Sequence, residues 1–156
     1  MFNRMMLAAV VLAGAGFHAN AGYAKTFTNP EYEVTVIKDK GEFQGCLGTN
    51  GFAGIGILGV QNSVFAIFTS EDLNVSKGRQ VIGTWSVDGN KAVPFKDDDT
   101  AKNTLTIELA DKSQLSQLRD GDFVLVSVGK DEVKFDLTGF TKGFNAVAQC
   151  MDAKSP

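Results

Sequence analysis

Short runs of alternating polar and apolar residues, separated by turn sequences rich in glycine and aspartate, constrain the fold of this chain most strongly. Residues 32–37 alternate between Pro30 and the turn at residues 39–41, and residues 104–109 alternate in the same way. Because successive side chains of a strand point to opposite faces, a period of two predicts strands with one buried face.

Further β-forming runs follow one another along the chain, with hairpin-turn signals at residues 88–90 and 129–131 between them. The runs cover residues 43–47, 63–69, 80–87, 91–95, 122–128 and 133–137. We expect residues 96–100 to form a loop. About eight short strands at this spacing predict an all-β fold, either an antiparallel sandwich or a barrel.

Two segments change to a helical period. Residues 111–119 carry Leu115 and Leu118 at helical spacing and predict a short surface helix. Residues 138–152 predict a C-terminal amphipathic helix with Thr138 as its N-cap. Its apolar stripe consists of Phe140, Phe144, Val147, Ala148 and Met151.

The first 24 residues have the composition of a secretory signal peptide. Arg4 supplies a positive charge, residues 5–17 are apolar, and small residues allow cleavage after Ala21 or Ala24. The apolar run fits a cleaved leader better than an uncleaved anchor, so we expect no membrane span after processing. The sequence therefore predicts one periplasmic or secreted domain over residues 25–156.

The only histidine, His18, lies in this leader, so the processed chain would contain no imidazole. That removes the commonest general base and the commonest zinc ligand. We accordingly expect no enzyme activity, no cofactor and no metal site. The formal charge of −3 becomes −3 − 1 = −4 when Arg4 is lost, and without a basic cluster we expect no nucleic-acid partner.

The two cysteines, Cys46 and Cys150, would meet an oxidising compartment after export. Two thiols allow a single intramolecular pairing, so we expect a disulfide that joins the front of the domain to its last helix. A redox or metal pair is the alternative, and isolated cysteines without histidine or a CxxC spacing make a poor site of either kind.

Several motifs have both a functional and a structural interpretation. Residues 54–59 match G-x-G-x-x-G, but the residues after them look extended, so a glycine-rich strand is favoured over dinucleotide binding. The acidic run at residues 97–99 lacks the spacing of a calcium loop. Glu33, Glu108 and Asp136 are candidates for an acid–base pair, although their polar strand positions are typical of a solvated face.

Aromatic side chains are the candidates for a binding surface. Trp85 and Phe52 are our choices, and we expect an exposed apolar patch around Trp85 or at residues 51–59, which include Phe52. The alternative for Trp85 is a place in the core, which is the commoner position of a lone tryptophan in a strand.

The C-terminal sequence supports a resemblance to a known family. Residues 133–144 combine a strand, Leu-x-Gly-Phe and the start of an amphipathic helix, and the chain also has a leader, Cys46, Cys150, and Trp85 followed by a Val-Asp-Gly turn. This arrangement resembles the invasion-associated locus B family of exported alphaproteobacterial proteins. The resemblance implies a β-rich, disulfide-bonded envelope protein without established catalytic residues, linked in some members to host-cell entry.

These observations predict a non-enzymatic periplasmic or secreted envelope protein, a binding module linked to host contact. Its partner would be a protein or another envelope component. A proteinaceous inhibitor of a secreted hydrolase is the first alternative, because rigid loops of small β domains suit that task. A small carboxylate-based hydrolase is the second alternative.

Overall fold

The computed structural model describes residues 27–29, 32–50, 53–98 and 100–153. This part of the chain contains ten strands and two helices. The strands are β1 (Phe27–Asn29), β2 (Tyr32–Asp39), β3 (Glu42–Asn50), β4 (Ile55–Val60), β5 (Ser63–Thr69), β6 (Val81–Val87), β7 (Val93–Asp97), β8 (Thr104–Glu108), β9 (Phe123–Val128) and β10 (Asp131–Asp136). The helices are α1 (Lys112–Asp120) and α2 (Phe140–Asp152).

The strands form two antiparallel sheets. A six-stranded sheet has the order β1-β2-β3-β4-β5-β8, and a four-stranded sheet has the order β10-β9-β6-β7. The predicted all-β fold with a C-terminal helix is therefore confirmed, and of the two predicted architectures the sandwich is the one observed. The predicted leader, residues 1–24, falls outside the described residues. Within the described part, neither helix has the length and apolar content that a bilayer crossing requires.

The alternating strands place one apolar row after another on the inner face of the six-stranded sheet. One such row runs across five strands, from Val34 through Gly48, Ile57 and Ala66 to Ile107, and every member is buried. The four-stranded sheet covers part of this face. Contact between the sheets includes the rings of Phe68 and Phe135, whose centroids lie 5.1 Å apart.

Helix α2 covers the rest of that inner face, across β1 to β4. Glycines allow its close approach: a Cβ atom at Gly48 would lie 2.8 Å from Val147, and one at Gly59 would lie 3.0 Å from Met151. The G-x-G-x-x-G motif is thus a strand that accommodates a helix, as the structural interpretation predicted. Cys46 and Cys150 are bonded beneath α2, with their Cα atoms 6.2 Å apart, which confirms the predicted disulfide.

The predicted start of the C-terminal helix is wrong by two residues. The helix begins at Phe140, and its N-cap is Gly139 in the left-handed region with φ of 78°. Glycine adopts this conformation without the steric cost of a Cβ atom, so it forms the bend between β10 and α2. Thr138 instead donates its backbone N–H to Asp136 Oδ1 at 2.7 Å.

The expected loop at residues 96–100 is also wrong in part, because β7 continues through Lys96 to Asp97. Asp97 is only 8% exposed and points inward. Its Oδ2 accepts a hydrogen bond of 2.8 Å from the backbone N–H of Thr106 on β8. An acidic residue was expected to stay in solvent, but this bond holds it in the strand and joins the two sheets.

Candidate functional site

The outer face of the six-stranded sheet, which points away from the core, carries an unusual number of apolar side chains. Strand register places Thr35, Leu47, Leu58 and Phe65 in one row across the sheet. Neighbouring rows add Ile37 and Val60 on one side and Ile67 on the other. We define the outer apolar surface as Ile37, Leu47, Leu58, Val60, Phe65 and Ile67.

This surface is distinct from the core cluster, although the two residues at its centre are buried. Leu58 and Ile67, at its centre, are 2% and 4% exposed. Ile37, Leu47, Val60 and Phe65 are half-buried, and all six lie outside the contiguous core cluster and its flanking contacts. An antiparallel sheet with one solvated face normally alternates apolar and polar residues. The outer apolar surface departs from that pattern in the middle of the sheet.

Polar side chains border the outer apolar surface on two sides. Glu33 and Thr49, on β2 and β3, are exposed at one margin. At the other margin, Ser63 donates its hydroxyl to Glu108 Oε1 at 2.9 Å. An apolar centre with a polar border is the composition found at protein contact surfaces.

Glycine at position 56 keeps part of this face flat. Gly56 lies on β4 opposite Ile67 of β5. A Cβ atom at position 56 would lie 3.3 Å from both the Gly48 carbonyl oxygen and Ile67 Cβ. That separation is tight for an ordinary carbon contact. A side chain at this position would therefore crowd Ile67 and raise the surface above its neighbours.

Of the two aromatic residues predicted to form a binding surface, Trp85 lies in the core. Trp85 is 2% exposed and packs in the core between the sheets, so its prediction as a surface residue is wrong and the core alternative is the observed one. On the same face of the sheet, Trp85 lies opposite Val93 on β7 and Val126 on β9. Phe52 lies outside the described residues, and its prediction stays a prediction.

The candidate catalytic carboxylates are not brought together. Glu33 on β2 and Glu108 on β8 are separated by three intervening strands, which is roughly 19 Å at the usual strand spacing. Asp136 belongs to the other sheet. The Thr138 hydroxyl, followed by its backbone N–H, lowers the pKa of Asp136, which keeps this carboxylate ionised instead of preparing it as an acid.

Metal-binding groups are likewise dispersed. Within residues 27–29, 32–50, 53–98 and 100–153, no three histidine, cysteine or acidic side chains are close enough to hold a cation. Asp97 is committed to the Thr106 backbone, and Asp98 forms an ion pair with Lys96 at 2.7 Å. Asp99, the third residue of the acidic run, lies outside the described residues.

Sequence reasoning missed the outer apolar surface, although a signal for it was present. Strands β4 and β5 read IGILGV and SVFAIFT, which are continuous apolar runs and not alternating ones. In an antiparallel sheet such a run indicates apolar side chains on both faces. The predicted patch at residues 51–59 includes Leu58, but residues 63–69 were interpreted only as a strand, so the two strands were not combined into one surface.

Comparisons with known proteins add no relative to this description. No protein-family model, no curated protein sequence and no solved structure matches the chain at a significant level.

Proposed function

We propose that this protein is a non-enzymatic binding module of the periplasm or the extracellular space, and that the outer apolar surface is where its partner docks. One observation carries the proposal: Ile37, Leu47, Val60 and Phe65 are half-buried apolar side chains on the sheet face opposite the core cluster, where they surround the buried Leu58 and Ile67. The partner is a protein or another envelope component with an apolar contact surface of its own.

Export supports this assignment of compartment. The leader composition of residues 1–24 and the Cys46–Cys150 disulfide both fit a chain that leaves the cytosol. The resemblance to the invasion-associated locus B family is consistent with an envelope role and suggests host contact as its setting.

Capture from envelope extract tests the docking surface. Leu47→Lys and Phe65→Lys place a charge at half-buried positions outside the core cluster of the described residues, so the fold is expected to survive. Ile82→Lys is the matched control, because Ile82 is 68% exposed on the four-stranded sheet. Wild type and the control should capture the same component, while both surface variants should lose it.

Two results would overturn the proposal. Equal capture by all four proteins would place the contact elsewhere, and turnover of a glycan substrate that disappears on Glu33→Gln or Glu108→Gln would make the protein a hydrolase. If the captured component is a secreted hydrolase that the protein inhibits, the partner is that enzyme, and the outer apolar surface remains the proposed docking surface.

A further inference from the structure

The free edges of the two sheets differ in whether their outward backbone groups are occupied. Along an antiparallel pair, hydrogen-bonded and non-bonded residue pairs alternate, so one bond fixes which residues of an edge strand point outward. Strands β7, β8 and β10 lie at sheet edges and can be compared in this way.

The edge of β8 is closed by a side chain. Leu109 donates its N–H to the Val64 carbonyl at 2.9 Å, in register with the β5–β8 pairing, so Thr106 points its backbone N–H away from β5. Asp97 Oδ2 accepts that N–H at 2.8 Å. A further strand would therefore find the central donor of β8 already used.

The edge of β7 lacks one of its two outward donors, since Pro94 and Lys96 both face outward and only Lys96 has a backbone N–H. Asp88 donates its N–H to the Phe123 carbonyl at 3.1 Å, which makes Thr84 bond toward β9 and leaves Pro94, its neighbour on β7, facing outward. Proline has no backbone N–H, and proline on an edge strand is a known protection against strand addition.

Strand β10 has neither protection. Leu137 donates its N–H to the Asp122 carbonyl at 2.9 Å, which continues the β9–β10 register. Alternation then directs the backbone groups of Glu132, Lys134 and Asp136 to the outer side, where no described strand pairs with them. All three side chains are exposed.

The order of charges along this edge is complementary to itself. If two copies of β10 pair antiparallel about Val133, Glu132 of each copy lies opposite Lys134 of the other. Lys130 and Asp136 then also face each other across the pair. Centring the pair on Lys134 instead would set Lys134 against itself and Glu132 against Asp136, and like charges directly opposite are destabilising.

We propose that β10 pairs with β10 of a second copy of this chain, antiparallel and centred on Val133. The pairing joins the two four-stranded sheets into one continuous sheet through a symmetric, self-complementary contact. Outward backbone groups supply the hydrogen bonds, and the opposite charges select the register. This contact lies on the four-stranded sheet, whereas the outer apolar surface lies on the six-stranded sheet. The proposed pairing therefore does not depend on the proposed function.

Charge reversal provides the test. Glu132→Lys and Lys134→Glu each set like charges opposite one another in the proposed register, whereas the double variant restores two opposite-charge pairs. The positions are exposed, so all variants should fold. The chain is expressed from its first residue, purified as the cell processes it, and examined by sedimentation equilibrium over a range of concentrations.

Wild type should show a reversible monomer–dimer equilibrium, and each single reversal should weaken it by roughly tenfold or more. The double variant should recover self-association. An equimolar mixture of the two single variants should also form a dimer, because lysines of one chain then face glutamates of the other. Rising salt should weaken the wild-type dimer.

Three results would overturn the proposal. Wild type could remain monomeric up to millimolar concentration. Each single variant could self-associate as strongly as wild type, which would place the contact on another surface. A monomeric wild type whose capture of an envelope component is lost on Lys134→Glu would show that a different chain occupies the β10 edge. Leu47→Lys should leave the dimer intact, which separates this test from that of the outer apolar surface.

Discussion

Asp97 shows how one side chain can join two sheets. Its carboxylate is almost fully buried at the end of β7, and it accepts the backbone N–H of Thr106 on the neighbouring sheet. A backbone N–H that is shielded from water and has no acceptor costs free energy, so the bond to Asp97 should stabilise the folded protein. The same contact closes the edge of β8.

Removal of this carboxylate should therefore destabilise the fold. We expect Asp97→Ala to lower the free energy of unfolding by about 1–3 kcal/mol, because the Thr106 N–H is left unsatisfied. Urea denaturation followed by circular dichroism measures the change. Asp98→Ala is the control: its ion pair with Lys96 is exposed and should contribute less than about 1 kcal/mol. Equal losses in the two variants would contradict the assigned role of Asp97.

Asp111 is the second residue whose environment has a measurable consequence. It is the N-cap of α1 and accepts hydrogen bonds from the Ser113 hydroxyl and from the N–H groups of Ser113 and Gln114. The Ser113 hydroxyl is the largest cause of a pKa below the usual 3.8, followed by the Gln114 N–H. The cap is strongest when this carboxylate is ionised.

The carboxylate of Asp111 should thus titrate below 3.8 in the folded protein, and Ser113→Ala should raise its pKa toward that value. Because the folded pKa is depressed, the stabilisation by the cap is complete above 3.8 and is lost as the pH falls through the folded pKa. Carboxyl carbon shifts in an NMR titration report the midpoint. Ser116→Ala, on the exposed side of α1, should leave it unchanged; a midpoint at 3.8 in wild type would contradict the cap geometry.

At the scale of elements, α2 is the piece that most depends on small residues. Gly143 lies within this helix, and a Cβ atom there would sit 2.6 Å from the ring of Tyr32. Gly48 and Gly59 make the matching space in the sheet. Three glycines at one contact bring a helix and two strands close enough for Cys150 to reach Cys46.

Gly143→Ala separates close packing from helix propensity. In an exposed helix this change would stabilise by about 1 kcal/mol. Here the clash with Tyr32 should outweigh that gain, and we expect a net loss of about 1–2 kcal/mol in the free energy of unfolding. Asn145→Ala, at an exposed position of the same helix, should leave stability unchanged or raise it slightly. Thermal denaturation of the two variants side by side checks the opposite signs.

The sequence predicted those elements whose signal is local. Alternation and turn residues predicted β2, β6, β8, β9 and β10, and helical spacing predicted both helices. Contacts between distant elements were not predictable in the same way. The inward turn of Asp97 depends on a donor in another strand, and the left-handed Gly139 displaces the helix start from Thr138.

The candidate site was predicted less well than the fold, for a physical reason. Trp85 was considered for a surface because it is an aromatic side chain in a strand, but which face of β6 is inward depends on how the two sheets pack against each other. The outer apolar surface arises from residues on β2 to β5 that meet through register alone. Strand register is set by the whole sheet, so neighbouring letters do not reveal it.

For the whole molecule, the Cys46–Cys150 bond is a covalent constraint between residues with a sequence separation of 104. It encloses most of the described strands in one covalent loop. In chain-entropy terms, closing a loop of this size removes much of the freedom of the unfolded chain. The bond also holds α2 on the sheet, since Cys150 lies in that helix and Cys46 lies on β3.

Loss of the bridge should lower stability without changing the fold class. We expect Cys46→Ala combined with Cys150→Ala to reduce the free energy of unfolding by about 2–5 kcal/mol, with a corresponding fall in Tm. Reductant should lower the Tm of wild type in the same direction and leave the double variant unaffected. The intact mass of wild type measured without reductant should be lower by two hydrogens than that of the reduced protein. An unchanged Tm after complete reduction would contradict a structural role.

The spacing of the two cysteines also determines how long one thiol would precede the other in an exported chain. If the polypeptide crosses the membrane as it is synthesised, Cys46 emerges 104 residues ahead of Cys150, a delay of roughly 5–20 s at ordinary translation rates. During that interval the leading thiol is exposed to oxidants while its partner is still inside the cell. The native disulfide could then form only after this interval, once Cys150 had followed Cys46 across the membrane.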